Sequence, residues 1–173
     1  MKSRMMICLA ALFTAVMTAV PAAYAGTATA NLNVSATVTA NCVLSASPLA
    51  FGSYDGVSAN ATRDLDGVGF VSVTCTNGSA ATITLGQGAN PYTGDGSTDA
   101  APQRRMNSGS YFLSYALYQD AARTTVWGNT AETGVSSTGT GSSNEISVFG
   151  RMVANQSVPA GSYLDTVVAT VTF

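Results

Sequence analysis

Two stretches of strict alternation, one near each end of the chain, constrain the fold more than any other feature. In the last eleven residues Tyr163, Val167, Ala169, Val171 and Phe173 share one parity, and Thr166, Thr170 and Thr172 share the other. That is the pattern of a strand with one buried face. The sequence stops there, so the expectation is a terminal strand with no turn and no closing partner after it. An apolar strand left at a sheet edge offers unpaired N–H and C=O groups to any chain that meets it. Near the other end, Ala28, Ala30, Leu32, Val34, Ala36 and Val38 alternate with Thr29, Asn31, Asn33, Ser35, Thr37 and Thr39. One molecule thus holds a strand lacking a neighbour and a spare strand.

The first 25 residues read as an export signal. Lys2 and Arg4 form the basic start, an apolar run follows from Met5 to Val20, and Ala23-Tyr24-Ala25 supplies the small residues of a cleavage site. The run is short for a membrane span and has no basic stop-transfer flank. Cys8 leaves with the signal in this reading. Residues 26–173 then remain, a single-domain length that buries about 70% of its unfolded surface. Five arginines stand against nine acidic residues in that part, a net charge of −4, with no lysine or histidine. Phosphate recognition needs clustered positive charge, so nucleic acid is excluded as an expected partner.

Two cysteines remain, Cys42 and Cys75. In an exported chain an even pair most simply forms one disulfide. Free thiols or a metal pair are the alternatives, but without histidine or further cysteine no zinc ligand set exists. The expected bridge closes a 33-residue separation and constrains the unfolded chain by about 3.5 kcal/mol in the chain-entropy picture.

The same composition removes most catalysts, and the expectation is a non-enzyme with no cofactor, metal or small-molecule substrate. Serines are abundant but have no base to activate them. Asp55, Asp64, Asp66, Asp95 and Asp99 are the clustered acids a glycosidase or a calcium loop would need. They sit among Gly and Ser, where acids more often form solvated turns. Tyr111, Tyr115, Tyr118 and Trp127 offer a sugar-stacking platform, although alternating aromatics in a sandwich more often fill its core. The Asn-x-Ser/Thr triplets at Asn33, Asn60, Asn77 and Asn155 are expected by chance in so Ser/Thr-rich a chain and receive no role.

Strand signals recur between turn residues, and no segment carries a helical stripe. Strands are expected over residues 42–51, 70–76, 81–85, 111–118, 145–154 and 163–173. The Gly- and Ser-rich stretches 86–109 and 130–144 are expected as surface connections. The count is one short of a seven-stranded immunoglobulin-like sandwich, and the missing strand is the last. The alternating segment 26–40 is assigned as a donor strand for another molecule rather than a first strand of its own domain. It follows the cleavage site, its inward residues are mostly small, and the terminal strand lacks a neighbour.

The motifs Asn41-Cys42, Leu49-Ala50-Phe51-Gly52-Ser53-Tyr54, Val71-Ser72-Val73-Thr74-Cys75, Leu117-Tyr118-Gln119-Asp120-Ala121-Ala122-Arg123 and Val148-Phe149-Gly150-Arg151, with the closing run from Pro159 to Phe173, resemble the spore coat protein U domain family. The resemblance covers essentially the whole of residues 26–173. It implies an all-β, incomplete immunoglobulin-like sandwich lacking its last strand and completed by donor-strand complementation. It further implies a subunit of an archaic chaperone-usher pilus, exported through the periplasm to the cell surface and supporting adhesion and biofilm formation. The implied partners are neighbouring pilin subunits, a periplasmic chaperone and an outer-membrane usher. On this reading Ala30, Leu32, Val34, Ala36 and Val38 are the donor plugs, and Val167, Ala169, Val171 and Phe173 line the acceptor groove. A secreted coat component and a secreted carbohydrate-binding module are the alternatives.

Overall fold

The computed structural model describes residues 23–173. The expected export signal, with Cys8, lies up to residue 22 outside the described residues. From residue 23 to residue 36 the chain forms no strand, and Leu32 and Val34 are 87% and 86% exposed.

Residues 37–173 contain strands and loops, with no helix among the described residues. The strands are β1 (Cys42–Ser47), β2 (Leu65–Cys75), β3 (Ala80–Leu85), β4 (Arg104–Ser108), β5 (Tyr111–Tyr118), β6 (Val135–Thr138), β7 (Asn144–Met152) and β8 (Ala169–Thr172). They form a five-stranded sheet in the order β1-β2-β7-β5-β4 and a three-stranded sheet in the order β6-β3-β8, all antiparallel. Period-2 alternation aims one side of each strand at the other sheet. Val71, Val73 and Cys75 of β2, Ala81, Ile83 and Leu85 of β3, Leu113, Tyr115 and Leu117 of β5, and Val148 and Met152 of β7 are buried together. Each large apolar side chain so buried contributes roughly 1.5–3 kcal/mol. The result is an immunoglobulin-like sandwich.

Two buried polar groups tie the sheets together. Trp127 is fully buried and its Nε1 donates to the Ile83 carbonyl at 2.9 Å. Arg104 points inward from β4, fully buried, and donates to the carbonyls of Gly86 (2.8 Å), Leu85 (2.7 Å) and Trp127 (2.8 Å). Burial lowers its guanidinium pKa to about 10, which leaves it charged at neutral pH. Carbonyl acceptors stand in for water at Nε and Nη2, while Nη1 is buried without a hydrogen-bond partner.

The disulfide is formed. Cys42 and Cys75 are Cα partners in the β1–β2 ladder, 4.1 Å apart, with the sulfurs bonded. It fastens one end of edge strand β1 to the sheet.

Several strand assignments differ from the sequence expectation: β2 begins at Leu65 rather than residue 70, and β7 ends at Met152 rather than residue 154. The strand expected over 42–51 ends at Ser47, because Pro48 cannot donate to the ladder. The stretch 86–109 is not all connection: β4 pairs with β5 over residues 104–108. Its Arg104-Arg105-Met106-Asn107 carries too little apolar alternation to register as a strand. Likewise β6, Val135-Ser136-Ser137-Thr138, lies inside the expected loop 130–144 and is an edge strand with polar outward residues. The terminal strand is divided. Leu164 exchanges backbone bonds with Asn107 of β4, and only residues 169–172 join β3 in the other sheet.

Candidate functional site: an open groove between the sheets

Residues 165–168 cross from the five-stranded sheet to the three-stranded one, and on their far side lies open space. β8 pairs with β3 alone, at the edge of its sheet, and β1 pairs with β2 alone at the edge of the other. These two edge strands come close to each other, and the sandwich opens beside them, between residues 46–57 and 158–169.

After Pro48 the chain leaves the β1 ladder, and Leu49 and Phe51 pack against the inner face of the five-stranded sheet. They rest on a floor of three inward glycines. A Cβ on Gly150 would lie 2.7 Å from the Phe51 ring, one on Gly69 2.9 Å from Leu49, and one on Gly67 3.0 Å from Phe51. Gly67 and Gly150 are direct Cα partners across β2 and β7. Glycine at inward strand positions commonly marks such a close approach.

The groove has two parts. A cleft of about 460 Å³ runs between residues 46–51 and 165–169, over Val71, Leu117, Val148 and Leu85. A wider cleft of about 800 Å³ continues between residues 49–57 and 158–165, over Leu113 and Met152. Leu49, Phe51, Met106 and Asp165 belong to both. The first part has an apolar floor, with Ser47, Tyr115, Asp165 and Thr166 as its polar lining residues. The second adds Ser53, Asp55, Gln156 and Ser162.

Asp165 is the carboxylate shared by both parts of the groove. Its Oδ2 accepts the Tyr115 hydroxyl at 2.6 Å, and its Oδ1 accepts Ala89 N at 2.8 Å and Asn90 Nδ2 at 3.3 Å. Burial, reinforced by the Asp165 bond, pushes the Tyr115 phenol far above its ordinary value. It therefore remains a hydrogen-bond donor.

Of the residues expected to line a groove, Val167 and Ala169 do so. Val171 is half-buried against the core, opposite Ile83, and Phe173 is 54% exposed. Ala30, Leu32, Val34, Ala36 and Val38 are exposed, and Val38 is 83% so. Sequence reasoning missed the opposite wall, Leu49 and Phe51, together with Tyr115 and Asp165. A signal existed in Gly67, Gly69 and Gly150, which stand at inward parity where large apolar residues are the rule.

Four of the five clustered acids, Asp55, Asp64, Asp66 and Asp99, have structural partners. Asp66 is held by Arg151 at 2.8 and 3.0 Å and by Arg123 at 3.2 Å, and these bonds hold its carboxyl below the usual range. Asp64 accepts Ala154 N, Asp55 accepts Val57 N and Ser58 N, and Asp99 accepts Gln87 Nε2 and Asn129 Nδ2. Among the described residues no group of three potential metal ligands converges. Trp127 and Tyr115 are core, which dismantles the four-aromatic platform, while Tyr111 is 52% exposed at the β4–β5 turn. Asn60 is buried, accepting Asp55 N and donating to the Arg63 carbonyl.

Comparison with known proteins agrees with this architecture. A chain in the crystal structure of the CsuC–CsuE chaperone–tip adhesion subunit pre-assembly complex, from archaic chaperone-usher Csu pili of Acinetobacter baumannii, superposes with a TM-score of 0.55 at 22% identity. The match covers 79% of the present chain and 40% of that one, and it establishes the likeness of fold. Protein U of Myxococcus xanthus is 46% identical over 159 residues, covering 87% of this chain and 88% of its own. The Spore Coat Protein U domain description matches residues 28–170, and the chain belongs to that family.

Proposed function

We propose that this protein is a structural subunit of a surface pilus, assembled by the chaperone-usher pathway through donor-strand exchange. Residues 1–25 direct export, residues 26–40 are the donor strand, and residues 41–173 are the acceptor sandwich. The observation that carries this reading is a match of chemistry: a groove with an apolar floor stands open between residues 46–57 and 158–169. The alternating segment 27–38 is twelve residues, about 40 Å when extended. Its apolar residues lie open to solvent.

In this reading Ala30, Leu32, Val34, Ala36 and Val38 of one copy enter the groove of the next, beside Val167 and Ala169, with Val171 and Phe173 continuing the wall. The added strand satisfies the free edge of β8 and closes the core, the general mode of strand addition. Donor and acceptor are different surfaces, so the contact is head-to-tail and propagates into a filament. Before assembly a periplasmic chaperone supplies a strand to the same groove, and an outer-membrane usher exchanges it. The filament is displayed at the cell surface and serves adhesion and biofilm formation. The role is structural, without catalysis.

A secreted coat component that polymerises without an usher is the second reading, favoured by the 46% identical Protein U. Light scattering separates polymer from monomer, using the mature protein beside a version lacking residues 26–40, each released from a periplasmic chaperone. Open-ended polymers from the intact protein alone are expected. Stable monomers from both overturn donor-strand exchange. Filament growth by the intact protein in a strain without chaperone and usher favours the coat.

A further inference from the structure

The groove is not uniform along its length, and one residue marks its midpoint. Along the inner face of β5, Leu113 lines only the wide cleft, whereas Tyr115 and Leu117 line only the narrow one. Tyr115 stands at the junction and reaches both walls. Its ring meets the Phe51 ring edge-on, with centroids 6.0 Å apart, on the first wall. Its hydroxyl is bonded to Asp165 on the second. Asp165 is in turn anchored from outside the groove by Ala89 N and Asn90 Nδ2. Gly88 lets that loop come close, since a Cβ there would collide with the Asp165 carboxylate.

We propose that Tyr115, held by Asp165, is a strut that fixes the distance between the groove walls and obliges the incoming strand to place a small side chain above it. This rests on the donor-strand reading and adds a specificity residue to it. An aromatic ring spanning the floor leaves less depth above it than the apolar stretches to either side. A strand that fits must therefore present a small residue flanked by larger ones at i−2 and i+2. In the donor segment that pattern occurs at Val34-x-Ala36-x-Val38, whereas Ala30 has another alanine, Ala28, on one side. Ala36 of the neighbouring copy is the residue assigned to the position over Tyr115.

The test uses the full chain carrying Leu32→Asp and Val34→Asp, which disables its own donor segment, titrated with synthetic peptides of residues 27–40. The parent peptide is compared with A36L and A30L peptides by fluorescence anisotropy. The strut requires the acceptor to reject A36L by about tenfold or more relative to the parent peptide, while A30L binds closely to it. Tyr115→Phe in the acceptor removes the bond to Asp165. The parent peptide should then lose about tenfold in affinity, the effect of one hydrogen bond to a charged acceptor. The A36L peptide should lose much less, so that the preference collapses. A purely structural role for Tyr115 weakens both peptides by the same factor, and that result overturns the proposal, as does equal rejection of A36L and A30L. If Tyr115→Phe does not fold, Asp165→Asn decides in its place, because an amide cannot accept both the Tyr115 hydroxyl and Ala89 N on separate oxygens. Failure of the unaltered acceptor to bind the parent peptide removes the donor-strand reading itself.

Discussion

Gly67, Gly69 and Gly150 are small residues with a large effect on where the chain runs. In a sandwich the inward positions of central strands hold large apolar side chains, and β2 supplies Val71 and Val73 by that rule. At the three glycines the sheet instead presents bare backbone, and Leu49 and Phe51 from the segment after β1 fill the space. Core volume is conserved while the side chains come from a different stretch of sequence. Gly150→Ala tests this: its Cβ would stand 2.7 Å from the Phe51 ring and 3.1 Å from Leu49. Overpacking of this kind costs about 1–3 kcal/mol, readable as a lowered urea midpoint at unchanged slope. Combining Gly150→Ala with Phe51→Leu should recover part of the loss, since the two changes share one volume. Strict additivity in that double variant would place Phe51 away from the glycine floor.

At the level of elements, what pairs with what was legible where chemistry and period agreed. The Val71-Ser72-Val73-Thr74-Cys75 alternation and the run Tyr111–Tyr118 both became β-strands, with Val71, Val73 and Cys75 buried. The disulfide followed from cysteine count and export, and it joins direct cross-strand partners. Cys75→Ser should lower stability by about 3–4 kcal/mol in denaturant unfolding, and an unchanged midpoint under reducing conditions would remove the bridge from the stability argument. Strands β4 and β6 were illegible because an edge strand with Arg, Asn, Ser and Thr has no apolar period to read. The groove wall at residues 46–57 was illegible for another reason: Leu49 and Phe51 keep strand parity in sequence after their backbone has left the ladder. The pairing of β2 with β7 places Asp66 opposite Arg151, and the Arg151 bond, helped by Arg123, lowers the Asp66 pKa from 3.8. A carboxylate with a depressed folded-state pKa adds stability that is complete above its unfolded value and disappears as pH falls through the folded one. Exposure of the Asp66 side chain keeps the contribution below about 1 kcal/mol. The thermal midpoints of the wild type and Asp66→Asn should differ by a constant amount above about pH 5 and converge below about pH 3. A difference that persists in acid would assign the effect to packing.

For the whole molecule, the feature requiring explanation is a folded sandwich with a continuous opening into its core. Cores are normally closed, because exposed apolar lining forfeits the burial that stabilises a domain of this size. Here the opening is bounded by residues 46–57 on one side and 158–169 on the other, and the floor of its narrow half is apolar, with Val71, Leu85, Leu117 and Val148. The same sequence carries an unpaired segment whose apolar residues repeat at the strand period. In the proposed donor-strand reading, a strand from a second copy would satisfy the open edge of β8 and the exposed segment in one contact. Val34→Asp separates assembly from folding. Residue 34 lies outside the sandwich, so the acceptor fold should keep its wild-type unfolding transition. Placing an unpaired carboxylate in the apolar half of a neighbour's groove costs about 3 kcal/mol or more, over a hundredfold in the exchange constant. Sedimentation after release from the chaperone should show folded monomers where the wild type forms polymers, and addition of a wild-type peptide of residues 27–40 should occupy the vacant groove and raise the unfolding temperature of those monomers. Filaments of normal length from Val34→Asp would instead mean that Val34 is not a plug, and that the segment reaches its neighbour in a different register or does not enter the groove at all.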